Sequence, residues 1–181
     1  ASGSMRGRNQ DGVRKMTVAK AVMRAMIANL PGETQVGLRV YGHRRPREPK
    51  EESCQDTELV VPFGPLDRDR LIAAVDAIEP KGQTPIGLSL RQLREDFGEE
   101  PGHKVVILVT DGIETCDPDP TSPDYPPDVV RALLAAGLDI KVNVVGFDIG
   151  ESETRVFLTR IANLGGGQYF DAGSAAELQS A

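Results

Sequence analysis

Residues 104–114 read KVVILVTDGIE. Positions 105–109 form an unbroken run of β-branched and aliphatic residues. A run with no polar alternation predicts a strand buried on both faces, as in a parallel sheet covered by helices. The run stops at Thr110-Asp111-Gly112. An acid followed by Gly, at the carboxyl end of a central parallel strand, lies where open α/β sheets bind ligands. Asp-Gly is also a common turn pair, so Asp111 by itself is equally a turn former. Two further stretches weigh toward a site: residues 1–5 (ASGSM) and 82–88 (GQTPIGL).

Outward from that strand the chain alternates between two periodicities. Residues 13–30 carry Val13, Met16, Ala19, Met23, Met26, Ile27 and Leu30 at helical spacing, and Pro31-Gly32 ends the helix. The Met-rich stripe reads as core filling. Residues 36–41 (VGLRVY) predict a strand, and 58–63 (ELVVPF) a second one whose Pro62 suits an edge. The polar loop 42–57 between them contains HRRPREPKEE, a solvated run of nearly balanced charge. Residues 67–78 predict a helix capped by Asp67. Thr84-Pro85 opens another, with Thr84 as N-cap and Ile86, Leu90, Leu93 and Phe97 inward. After the central strand come an acidic, Pro-rich loop (111–127), a helix (128–136) closed by Gly137, and a strand (140–145). A helix over 152–164 has Val156, Phe157, Ile161 and Leu164 inward. A short strand (168–170) and a terminal helix (175–180) finish the chain. Strands alternating with helices predict an α/β fold, a doubly wound, Rossmann-like, three-layer α/β/α domain. Its sheet is mostly parallel, with one antiparallel edge strand.

Composition sets the limits. The 181 residues suit a single domain, residues 1–181, with a sizeable core. Acidic residues (27) outnumber basic ones (21), for a net charge of -6, which argues against nucleic acid as the main partner. No apolar run approaches the length of a membrane span. The two histidines offer no zinc spacing with Cys54 or Cys116. His43 falls in a charged loop, and His103 at the amino end of the central strand.

Ser2, Ser4, Thr84 and Asp111 each lie just before a helix or just after a strand. In a doubly wound sheet such positions gather at the carboxyl edge. Three hydroxyls and a carboxylate are hard oxygen donors, suited to Mg²⁺, Mn²⁺ or Ca²⁺ rather than to zinc or copper. The loop 114–128 adds Glu114, Asp117, Asp119, Asp124 and Asp128, whose spacing matches no calcium loop and reads as a solvated acidic rim. Cys54 and Cys116 both fall on loops at the carboxyl end of the sheet. Two long loops on one rim can meet, which predicts a Cys54–Cys116 disulfide and an oxidising compartment. Two separate thiols are the alternative.

These motifs resemble those of von Willebrand factor A (VWA) domains. Ala-Ser-Gly-Ser-Met is similar to the tail of Asp-x-Ser-x-Ser, Gln-Thr-Pro carries the matching threonine, and Val-Thr-Asp-Gly the matching aspartate. The resemblance covers the whole chain, through the closing GGGQYFDAGSAAEL. It implies a metal-ion-dependent adhesion site (MIDAS) with Ser2 and Ser4 bound directly to the metal. Thr84 would bind directly or through water, and Asp111 through water. Mg²⁺ is the expected ion, with Mn²⁺ or Ca²⁺ as alternatives. The YGHR and DGxETC segments resemble bacterial extracytoplasmic members, implying a secreted, periplasmic or cell-surface location. The chain departs from the pattern at its start: the leading Asp and the inner strand carrying it do not precede Ser2. An inner strand cannot be removed without leaving two rows of unpaired backbone groups. The domain is therefore expected to be N-terminally incomplete. The strand would come from a longer polypeptide, from a cleaved but bound piece, or from another chain.

The expected function is a divalent-cation-dependent adhesion or protein-binding module that engages an acidic group of a protein partner. The alternative is a structural VWA domain with a degenerate metal site. A metal-dependent hydrolase is the least supported reading, since no Ser-His-Asp set, HExxH or phosphate-cradling loop is present.

Overall fold

The computed structural model describes residues 2–9 and 12–172; the helix expected over 175–180 lies outside them. A 3-10 turn, Gly3–Arg6, leads into α1 (Lys15–Asn29), followed by β1 (Gln35–Tyr41), a short α2 (Lys50–Ser53) and β2 (Thr57–Pro65). Next come α3 (Arg68–Ala77), α4 (Ile86–Arg91), α5 (Leu93–Phe97) and β3 (Lys104–Thr110). The chain continues through α6 (Pro126–Ala135), β4 (Ile140–Phe147), α7 (Ser152–Leu164) and β5 (Gly166–Ala172). Asp67 caps α3 as expected, its carboxylate accepting from the Arg70 amide at 3.0 Å.

Parallel strands need a crossover, and the helices α6 and α7 supply the two that join β3, β4 and β5 into one parallel sheet. β1 and β2 are joined without a crossover helix and pair antiparallel. The strands thus form two pieces, β1-β2 and β3-β4-β5. Side-chain alternation sends the two sides of these strands into different cores. Tyr41, Leu108, Val142 and Val144 pack with α4, α6 and α7, through Ile86, Val130, Leu133, Leu158 and Ile161. Val40, Val145 and Phe147 pack with α1, through Met16, Ala19 and Val22, and a neighbouring cluster joins Ile27 of α1 to Leu71 and Val75 of α3. This is the three-layer α/β/α arrangement.

β3 departs from the expected burial on both faces. Leu108 and Thr110 are buried, but Val105 is 54% and Ile107 44% exposed. The cause is the edge: β3 has a ladder partner in β4 on one side and none on the other among the described residues, and β1 is likewise paired only with β2. The two pieces still face each other, because the Tyr41 hydroxyl at the end of β1 donates to the Val109 carbonyl of β3 at 3.1 Å.

The phase of α7 also differs. Thr154, Leu158, Ile161 and Ala162 point inward, whereas Val156 is 69% exposed. The aliphatic residues fit either phase at helical spacing, and the sheet selects the one that buries Leu158. Leu158→Ala is therefore expected to cost about 2–5 kcal/mol of unfolding free energy in urea titrations. Val156→Ala should change it by no more than about 0.5 kcal/mol.

Candidate metal centre

The 3-10 turn carries Ser4, with Ser2 at its N-cap, and Asp111 directly follows β3. The Ser2 and Ser4 hydroxyls both donate to Asp111 Oδ1, at 2.9 and 2.7 Å, and lie 2.6 Å from each other. Asp111 is 8% exposed, and its Oδ2 is buried without a hydrogen-bond partner among the described residues. Buried carboxylate oxygens ordinarily have partners, so this one marks a place for a donor or a cation.

Thr84 reaches the same cleft from the segment before α4. The Gly3 amide donates to the Gly82 carbonyl at 2.9 Å, and Ser2 and Gly82 form a parallel bridge, so the serine turn and the threonine segment are fixed to each other. Gly82 is required there: a Cβ would lie 2.8 Å from Ser53 Oγ and 2.9 Å from the Arg45 carbonyl. Thr84 is held on both sides of its peptide. Its amide donates to Thr115 Oγ1 at 2.8 Å and its carbonyl accepts from the Thr115 amide at 3.2 Å. It is not the N-cap expected from the sequence. Pro85 occupies that position without a side-chain cap, and the Thr84 hydroxyl makes no hydrogen bond among the described residues.

Two buried carboxylates shape the surrounding loops: Asp56, which sequence reasoning did not single out, and Glu114, which it placed in a solvated acidic rim. Asp56, fully buried, accepts from the Arg44 and Arg45 amides at 2.7 and 2.9 Å and from the Arg44 guanidinium at 2.8 Å. Burial alone would raise its pKa, but these hydrogen bonds outweigh burial and hold it below the usual carboxylate range. Glu114 accepts from the Gly87 amide at 2.8 Å, and from the Cys116 and Asp117 amides at 2.7 and 3.2 Å. Burial pushes its pKa up against those three amides. Glu114 therefore belongs to the interior rather than to an acidic rim, while Asp117 takes the Ser122 hydroxyl. The signal available in the sequence was modest: an acid within a few residues of a cysteine in each loop. The sulfurs of Cys54 and Cys116 lie 2.03 Å apart, at bonding distance, and join the loops that Asp56 and Glu114 organise.

Ser2, Ser4, Thr84 and Asp111 line one open cleft of about 450 Å³, with Arg47 on the side of the β1 loop and Asp148 and Glu151 on the side of the β4 loop. Asp148 adopts a left-handed backbone (φ 49°) and pairs with Lys15 at 3.0 Å. His43 is half-buried rather than at the surface, with Nε2 3.1 Å from Glu58, and burial lowers its pKa. His103 pairs with Asp139 at 2.8 Å at the amino end of β3, away from the cleft. Among the described residues no three His, Cys, Asp or Glu side chains gather as metal ligands. The donors in the cleft are instead hydroxyls, one carboxylate and its unpartnered oxygen. That set fits a hard divalent cation, which prefers oxygen and retains water.

An open α/β domain with hydroxyl and carboxylate donors converging at the carboxyl edge of its parallel strands is the arrangement in which ligands of such sheets bind. The chain belongs to the von Willebrand factor type A domain family, whose pattern matches residues 1–114. It is 33% identical over 187 residues to the uncharacterized protein YwmD of Bacillus subtilis (strain 168), covering 99% of this chain and 79% of that one. It is 35% identical over 176 residues to YwmC of the same strain, covering 95% and 73%. Among solved structures, a von Willebrand factor type A protein from Catenulispora acidiphila superposes with a TM-score of 0.72 at 20% identity, over 99% of this chain and 38% of that one. The vWF domain of the type V pili tip protein Mfa5 from Porphyromonas gingivalis gives 0.69 at 11% identity, over 99% and 90%. At these identities the structures speak for the fold. Domains of this family are generally protein-interaction modules rather than enzymes.

Asp56 generates a pH prediction. Its folded pKa is depressed, so it contributes stability that is present above its unfolded value of about 3.9 and lost as pH falls through the folded value. Asp56→Asn should lower the melting temperature at pH 7 and show a shallower loss than wild type below about pH 4, in melts across a pH series.

Proposed function

We propose that Ser2, Ser4, Thr84 and Asp111 hold a divalent cation, Mg²⁺ before Mn²⁺ or Ca²⁺, and that the cation engages an acidic group of a protein partner. The observation that carries this reading is the buried, unpartnered Asp111 Oδ2 beside two serine hydroxyls already turned to the same carboxylate. A cation would take lone pairs from the hydroxyls and satisfy the orphan oxygen. The carboxylate supplies only part of the charge a divalent ion needs, which favours an anionic group from outside. The family's general role in protein interaction supports the partner being a protein.

The domain's role on this reading is adhesion or interaction without catalysis. The paired cysteine sulfurs support an oxidising, extracytoplasmic setting, since disulfides persist there. No helix among the described residues is long and apolar enough to cross a membrane. We also propose that the free edges of β1 and β3 receive an inner strand from outside residues 2–172, because backbone groups on both edges need partners. A structural domain with a degenerate site is the second reading, favoured by the single carboxylate among the four donors.

Titration calorimetry of Mg²⁺, Mn²⁺ and Ca²⁺ into chelator-treated protein, with Asp111→Ala as comparison, distinguishes the two. Mg²⁺ binding that weakens about 10- to 100-fold in Asp111→Ala is expected, the range for residues that act on a metal through water. No binding of any of the three ions to the wild-type protein would leave the domain a scaffold.

A further inference from the structure

Arg47 stands apart from the other cations of its loop. Arg44 pairs with Asp56 and Glu58, at 2.8 and 3.2 Å, and Arg45 pairs with Glu52 at 2.8 Å. The guanidinium of Arg47 has no ion pair or hydrogen bond among the described residues. Lys50 also has none, but it does not line the cleft, whereas Arg47 does.

The position of Arg47 is built. Its carbonyl accepts from Gln83 Nε2 at 3.3 Å, which ties it to the residue beside Thr84. Its aliphatic stem lies across Gly3, between the two serines: a Cβ on Gly3 would come within 3.2 Å of Arg47 Cδ and 3.6 Å of Cγ. The absence of a side chain between Ser2 and Ser4 thus lets the stem rest on the turn that carries the hydroxyls. Arg47 is exposed, and it lines the cleft.

The cleft is therefore polarised. Asp111 follows β3 at its centre, Arg47 belongs to the loop after β1, and Asp148 and Glu151 belong to the loop after β4. Asp148 is already neutralised by Lys15, but Glu151 has no cationic partner among the described residues. A ligand anchored by one carboxylate at the centre meets attraction toward Arg47 and repulsion from Glu151. We infer that Arg47 is a specificity-determining residue that receives a second carboxylate, so that the partner presents an acidic peptide segment with at least two acids. A guanidinium accepts a carboxylate in a two-pronged geometry that a lysine ammonium does not reproduce. This inference rests on the metal reading above.

The test measures anisotropy of capped peptides carrying a neutral dye, with the full-length protein in saturating Mg²⁺. One peptide holds a single Asp in a Gly background. Three hold two Asp residues, adjacent or separated by one or two Gly. Wild type should prefer at least one two-acid peptide by about fivefold, more than the roughly twofold that two equivalent carboxylates give statistically. Arg47→Ala should reduce the preference to that statistical level, and Arg47→Lys should restore it only in part. Mg²⁺ affinity by calorimetry should not fall in Arg47→Ala, because a positive neighbour has been removed. That readout also shows that the variant is folded. An unchanged preference in Arg47→Ala, or none in wild type, with Mg²⁺ bound, overturns this inference alone. Failure of the wild-type protein to bind Mg²⁺, Mn²⁺ or Ca²⁺ overturns the metal reading and this inference with it.

Discussion

One carboxylate oxygen of Asp111 takes hydroxyl hydrogens from both Ser2 and Ser4, across more than a hundred residues of sequence. The position of the serine turn depends on that contact and on the backbone bond from Gly3 to Gly82. Together they bring three remote segments to one point. Met5 anchors the turn in the core beside α1, but the serines are polar and Gly82 has no side chain. A short hydrogen-bond network thus aligns the hydroxyls of a turn that Met5 fixes to the core. Ser2 and Asp111 are buried, so water competes little for the hydrogen bond between them, while Ser4 closes the network from the exposed side.

The loops around the site are organised by charge taken out of solvent and matched to backbone amides. Asp56 holds the loop after β1 and Glu114 the loop after β3, each through amides that the sheet leaves unpaired. The two carboxylates differ in outcome. For Asp56 the hydrogen bonds outweigh burial, helped by Arg44, and for Glu114 burial wins. The Cys54–Cys116 link then joins loops that are already folded against the 82–84 segment. Thr84 lies between them, with Gln83 bonded to Ser53 on one side and Thr84 to Thr115 on the other. The site thereby sits on a frame stiffer than its loop composition suggests.

The strand pieces carry the opposite lesson. β3-β4-β5 closes two layers of core, yet Val105 and Ile107 remain exposed because one edge of β3 has no ladder among the described residues. The Tyr41 hydroxyl reaches one carbonyl on that edge, and burial raises its pKa well beyond the ordinary phenol value. A phenol held neutral is a donor at any physiological pH. Side chains thus hold the two pieces in line at the carboxyl end, which is the end where the site lies.

The sequence by itself determined the elements and their layering. Aliphatic runs against 3.6-residue stripes separate β3 and β4 from α1 and α6, because those periods follow from backbone geometry and not from neighbours. Hydroxyls and an acid at strand ends likewise marked Ser2, Ser4, Thr84 and Asp111, since strand ends of an open sheet converge. Only the tertiary structure decided the rest. It chose the phase of α7, turning Val156 out and Leu158 in, because both residues satisfy the same spacing and the sheet breaks the tie. It moved Thr84 from capping a helix to facing the cleft, through a bond to Thr115 that no local pattern encodes. It paired Arg44 and Arg45 and laid Arg47 over Gly3 with no ion pair among the described residues, dividing a charge run that reads as uniform. Such choices depend on distances between segments remote in sequence, and periodicity carries no information about those distances.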